Sequence, residues 1–119
     1  MDETTRLARA YWDSEESRDL ERILAHFDVD ATWSGPGCDY RGVQQFRRFY
    51  ENSIAGYPHL TVTILETIGD SRRAAIRWRA ELQDHDNRVE HLLGVNFMTF
   101  QLGVITDLAT FFDPTPRSD

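Results

Sequence analysis

A single cysteine, Cys38, occurs in the 119 residues, which excludes an internal disulfide and a cysteine-rich zinc site. No apolar run approaches the roughly 20 residues that a bilayer-spanning helix needs. A basic surplus is missing too: 13 Lys and Arg stand against 20 Asp and Glu, a formal net charge of −7, which repels phosphate backbones and anionic lipid. Neither nucleic acid nor a membrane is an expected partner. The histidines His26, His59, His85 and His91 follow no HxxxH, HxH or HExxH spacing, so no metal site is expected. The opening "MDETTRLARAYW" has no apolar core after a basic start, which predicts a helix rather than a signal peptide and hence a cytoplasmic protein.

What is present has the size and mix of one globular domain, 1–119, with 40% hydrophobic and 28% charged residues. Leu7, Ala8, Ala10, Tyr11 and Trp12 recur at helical spacing and predict a first helix from Glu3 to about Glu16. A second follows in "LERILAHF", where Leu20, Ile23, Leu24 and Phe27 share a face. "DATW" reads as extended and "SGPGCDYRG" as a loop with tight turns. "VQQFRRFYENSI" returns to helical period and is stopped by Gly56 and Pro58. Four strands are then predicted in "HLTVTILETI", "AAIRWRAELQ", "RVEHLLGVNFMTF" and "VITDLATFFD", separated by turn chemistry. Three helices followed by an antiparallel meander give an α+β architecture, in which a curved sheet closed by helices forms a cone with a small-molecule pocket.

The stretches "DLERILAHFDVDATWSGPGCDYRG" and "FRRFYENS" resemble the cystatin-like cone of the nuclear transport factor 2 superfamily, specifically its ketosteroid isomerase and SnoaL-like polyketide cyclase branches. The resemblance spans about residues 5 to 113. It implies three N-terminal helices on a curved, mostly antiparallel sheet of four to six strands. It also implies a cofactor-independent enzyme acting on a hydrophobic cyclic metabolite through an enolate, by cyclisation, isomerisation or dehydration. The same superfamily contains non-catalytic binding and adaptor modules, and fold does not choose between them.

Carried over residue by residue, the isomerase's oxyanion-donating tyrosine matches Tyr11, eight residues before Asp19. Its second donor falls at Asn96, whose amide can donate without a raised pKa. The isomerase's general base falls at Gly35, which has no side chain to accept a proton. SnoaL-like cyclases carry an acid/base carboxylate on the last strand, which here offers Asp107 and Asp113. Strand parity places both with Ala109 and Phe111, and the resemblance makes that face concave. The Asp-Arg-Asp arrangement of limonene epoxide hydrolases is absent, because "IRWRAE" has Arg77 and Arg79 without an acid at the required spacing. Trp33, Tyr40, Phe49, Trp78, Met98 and Phe111 are the expected ligand-binding wall, although aromatic residues also fill any small core. Arg77, Arg79, Leu93, Val95 and Phe97 make the opposite, convex face too apolar for a solvated sheet, which predicts a homodimer through it.

Overall fold

The computed structural model describes residues 3–114. Helix α1 runs Glu3–Ser17 and buries Thr4, Ala8, Tyr11, Trp12 and Ser14, one stripe at intervals of three and four. It ends where Arg18 turns into the left-handed region at φ 57°. Helix α2, Leu20–Leu24, is capped by Asp19, whose carboxylate accepts from the Arg22 amide. This helix is shorter than its apolar periodicity predicts. Phe27 opens strand β1, Phe27–Gly35, and the Ile105 amide donates to the His26 carbonyl at 2.8 Å, so the sheet claims the residues that would have made another helical turn.

The stretch expected to be a loop is largely a hairpin. Strand β2, Cys38–Arg41, pairs antiparallel with the end of β1. Only Pro36 and Gly37 join them; proline presets its own φ, and Gly37 adopts φ 76°, which side-chain-bearing residues seldom do. Helix α3, Val43–Gly56, buries Phe46 and Tyr50. The meander follows as β3 (His59–Gly69), β4 (Arg73–Gln83), β5 (Val89–Gln101) and β6 (Val104–Pro114). Asp70 and Asp84 close the β3–β4 and β4–β5 turns, each accepting two backbone amides through Oδ1.

All six strands form one curved, unclosed sheet in the order β2-β1-β6-β5-β4-β3. Only β1 and β6 run parallel; every other neighbouring pair is antiparallel. The helices cover the concave side, and the core is built there from Trp12, Ile23, Phe46, Tyr50, Ile76, Trp78, Met98, Ile105 and Leu108. On the edge strand β3, the Val62 amide donates to Glu16 at 2.8 Å and its carbonyl accepts from Arg9 at 3.0 Å. Arg9 and Glu16 also pair with each other at 2.9 Å. That clamp satisfies an exposed strand edge and fixes α1, with Tyr11, over the sheet.

Candidate functional site

Between α1, α3 and the concave sheet lies a cavity of about 130 Å³. Leu60, Trp78, Leu82, Leu92, Leu108 and Phe112 give it apolar walls, with Trp33 and Phe49 on the side of β1 and α3. A dry cavity of ~150 Å³ holds benzene, so the enclosed space suits about one ring. Phe49, Ser53 and Leu82 also wall an outer groove of about 410 Å³, completed by Tyr40, Gln45, Arg48, Asn52 and Tyr57. A larger ligand would therefore continue outward past these three residues.

Few polar groups enter the cavity, and their geometry is specific. The Tyr11 and Tyr50 hydroxyls lie 2.6 Å apart, and the Trp33 indole faces the Tyr50 hydroxyl as a hydrogen-bond partner. An indole N–H can only donate, so Tyr50 accepts from Trp33, while within the Tyr11–Tyr50 pair either hydroxyl can be the donor. Tyr11 also shares a hydrogen bond with the Glu15 carboxylate, which accepts from it. Burial, foremost, and the neighbouring Glu15 charge push both phenols well above the usual tyrosine range; they remain neutral donors. Asn96 is oriented by its partner as well: its Oδ1 accepts from Trp78 Nε1 at 2.9 Å. The Asn96 NH₂ is thereby left as the group offered to a ligand.

One carboxylate among the described residues lines the cavity, and it is Glu15. Sequence reading passed over it inside the acidic run "DSEES", which looks like a solvated helix end. The signal was its spacing: four residues after Tyr11, it shares that residue's helix face. Desolvation raises its pKa from the ordinary 4.5, only partly offset by a hydrogen bond from Tyr11 and by the Arg18 charge. The Arg18 guanidinium itself donates to the Tyr57 and Glu15 carbonyls and to Ser53 Oγ, at 3.0–3.1 Å, linking α1 to α3 beside the pocket.

The two aspartates expected on the concave face are not there. Asp107 and Asp113 are exposed, and Asp107 accepts a hydrogen bond from Thr32 on the outer surface. Their shared parity is right, but the face is reversed. Asn96 opposes Thr110 and Met98 opposes Leu108; cross-strand partners point the same way, so Leu108, Thr110 and Phe112 face inward. A register shift between β5 and β6 pairs Phe100 with Ile105 but Thr99 with Asp107, leaving Thr106 as the extra residue. That bulge turns Ile105 in and Asp107 out. Phe111 is likewise corrected: it is 59% exposed, and Phe112 takes its place in the wall. Asp107→Asn is accordingly expected to leave ligand affinity and turnover within about twofold of the unmodified protein, since an exposed substitution away from the pocket perturbs little.

Of the remaining expected residues, Tyr11, Asn96, Trp33, Phe49 and Trp78 come together around the cavity. Tyr40 lies in the outer groove, 5.5 Å from Trp33 between ring centres. Met98, 1% exposed, belongs to the core rather than the wall. At Gly35 the base position is closed as well as empty: a Cβ there would stand 2.9 Å from Trp33 Cζ3 and 3.2 Å from Thr110 Cγ2. The indole of Trp33 occupies the room a side chain would need.

A helix-covered, cone-shaped α+β sheet with an aromatic-walled cavity on its concave side defines the class: a cone of the nuclear transport factor 2 type. Within that class, the chain belongs to the SnoaL-like domain family, whose model matches residues 8–108. Similar solved structures carry the same fold. One is a proposed polyketide cyclase from Xanthomonas campestris pv. campestris, at TM-score 0.83 and 18% identity over 93% of this chain and 90% of that one. Another, a proposed ketosteroid isomerase from Kribbella flavida, has TM-score 0.74 and 24% identity over 98% and 82%. A third, from Burkholderia pseudomallei, is a protein of unknown function with TM-score 0.81 and 18% identity over 95% and 92%. No curated protein matches the sequence significantly. At these identities the structures establish the fold alone. No helix among the described residues is long and apolar enough to cross a membrane.

Proposed function

We propose that this SnoaL-like protein binds a hydrophobic cyclic carbonyl compound and stabilises its enolate, in a cofactor-independent cyclisation, isomerisation or dehydration. The observation that carries this reading is the convergence of two groups able to donate, the Tyr11 hydroxyl and the Asn96 amide, on an apolar cavity. Donors fixed in advance around a developing oxyanion need no reorganisation as charge appears, and low polarity around them strengthens the interaction. The cavity volume favours a ligand that places one ring inside and extends any further ring towards the outer groove. A non-catalytic binding module is the second reading, favoured by the glycine at position 35.

The outward sheet face is part of the same proposal. Phe97 and Phe111 are 52% and 59% exposed, with ring centres 6.0 Å apart, and Leu93 lies beside them. Arg77 and Glu66 pair at the margin of this apolar strip, and Asp113 lies opposite Leu93. Both charge signs border an apolar centre, which suits a two-fold contact with a second copy. Native mass spectrometry with 4-nitrophenol, monocyclic ketones, steroids and aromatic polyketides tests both parts. The expected result is a dimer retaining one ligand per chain, and a ligand-holding monomer for Phe97→Asp. Absence of any bound ligand across the panel would overturn the enzyme reading in favour of a module acting through its surface.

A further inference from the structure

The four acids that close α1 and its cap have different surroundings, and three have evident structural roles. Asp13 pairs with Arg9 in solvent at 2.9 Å, Glu16 clamps Arg9 and Val62, and Asp19 caps α2. Glu15 alone turns into the cavity; its carboxylate accepts from Tyr11 and feels the Arg18 charge, but no cation among the described residues forms an ion pair with it. We propose that Glu15 is the proton-transferring group of the pocket, taking a proton from the carbon next to a carbonyl whose oxygen rests against Tyr11 and Asn96. The inference rests on the enolate reading above and supplies the base that position 35 lacks.

The geometry suits the task. Tyr11 and Glu15 sit one helical turn apart on α1, where side-chain attachments are ~5–6 Å from each other. A ring whose carbonyl oxygen takes over the Tyr11 proton from Glu15 frees that carboxylate and can present its neighbouring carbon towards it. The carboxylate takes the proton, the C–H electron pair becomes the carbon–carbon double bond of the enolate, and the carbonyl π pair moves onto oxygen. The reverse step returns the proton from the Glu15 carboxyl to the same carbon, or to the far carbon of a β,γ-unsaturated ketone. No oxidant, reductant or other reactant is consumed.

The acid–base setting is compatible with that cycle. Tyr11 and Glu16 act on Glu15 from α1 and Arg18 from the turn that follows it, and Tyr50 faces it from α3. Strands β3 to β6 present no ionisable side chain to the cavity. Burial is the largest influence and raises the pKa, which makes the ionised group a stronger base than a solvated glutamate. Turnover should therefore rise with pH along a single titration whose midpoint lies above 4.5. Stability should change in the opposite sense. Below pH 4.5 both folded and unfolded chains hold the proton; above it the unfolded chain releases its proton first, and folding weakens until the raised folded pKa is passed. Glu15→Gln removes that loss, so it should melt higher than the unmodified protein at pH 8 and not at pH 4.

The test uses cyclohex-3-enone in D₂O, with NMR following deuterium uptake beside the carbonyl and ultraviolet absorbance following the conjugated isomer. Binding of 4-nitrophenol, a one-ring enolate mimic, is measured alongside. Expected are catalysed exchange by the unmodified protein, loss of about 10²–10⁴-fold in Glu15→Gln, partial recovery in Glu15→Asp, and retained 4-nitrophenol binding in both variants. Exchange unchanged in a Glu15→Gln that binds the phenol would overturn the Glu15 assignment and leave the pocket standing. Unmodified protein that binds the phenol without accelerating exchange would overturn it equally. An unmodified protein that binds no phenol would instead overturn the functional reading on which the assignment rests.

Discussion

Tyr11→Phe should lower the rate of enolisation by about 10²–10³-fold, the usual consequence of removing one oxyanion donor, with a smaller effect on binding of the neutral ketone. The distinction follows from charge. A neutral carbonyl gains little from a phenol donor, whereas an enolate oxygen gains much, so the loss should concentrate in kcat. The same substitution has a structural cost. Tyr50 loses its hydroxyl partner 2.6 Å away, and a buried polar group left without a partner costs ~1–3 kcal/mol. Tyr50→Phe separates the two effects: it keeps the Tyr11 hydroxyl and removes the partner behind it. Turnover in Tyr50→Phe should fall by about tenfold or less, and the double variant should lose less than the product of the single losses, since both act through one hydrogen-bond chain. Steady-state kinetics and thermal melts of the three variants check this; equal rates in Tyr11→Phe and the unmodified protein would remove Tyr11 from the chemistry.

Gly94→Ala is expected to be among the most damaging single-methyl changes in the chain. Gly94 is flanked across the sheet by Trp78 and Phe112, both in the cavity wall. A Cβ there would come within 2.5 Å of Trp78 Cζ2, 2.7 Å of the Phe111 carbonyl oxygen and 2.9 Å of Phe112 Cβ. The carbonyl cannot withdraw without disturbing the β5–β6 ladder, and Trp78, packed beside Trp12 and Phe112, would have to shift within the cavity wall. Overpacking of this kind costs ~1–3 kcal/mol or somewhat more, equivalent to a fall of roughly 5–15 °C in Tm for a domain of this size. Weaker 4-nitrophenol binding should accompany the lower Tm, because the indole also loses its hold on Asn96. A melting temperature within about 2 °C of the unmodified protein would show that the wall yields more easily than its contacts indicate.

Elements with strong local period were legible in the sequence. Helices α1 and α3 and strands β3 to β6 occur where helical spacing, strand alternation and turn residues place them, because those signals are local consequences of backbone geometry. Tyr11 and Asn96 reached the cavity by correspondence with a family whose fold the chain shares. "DATW" was read as extended, but strand β2 was read as part of a loop, since its four residues are fewer than any periodic pattern needs. Helix α2 was read too long because Phe27 fits a helix face and a strand equally well; pairing beside β6 made the choice.

What the sequence by itself determined is the class of the domain, the order of its elements and the alternation along each strand. Only the tertiary structure decided which half of each alternation is inside. Along β6, Asp107, Ala109 and Phe111 were as plausible a lining as Leu108, Thr110 and Phe112, since each set mixes apolar and polar residues. The bulge at Thr106 reverses the parity between Ile105 and Asp107, and the pairing of Thr110 with Asn96 fixes the result. The acid that enters the pocket comes from α1, since the clamp on Val62 sets the helix with Tyr11 and Glu15 facing the cavity. Period is a property of neighbouring residues, whereas inside and outside are properties of register and curvature, which contacts between distant segments establish.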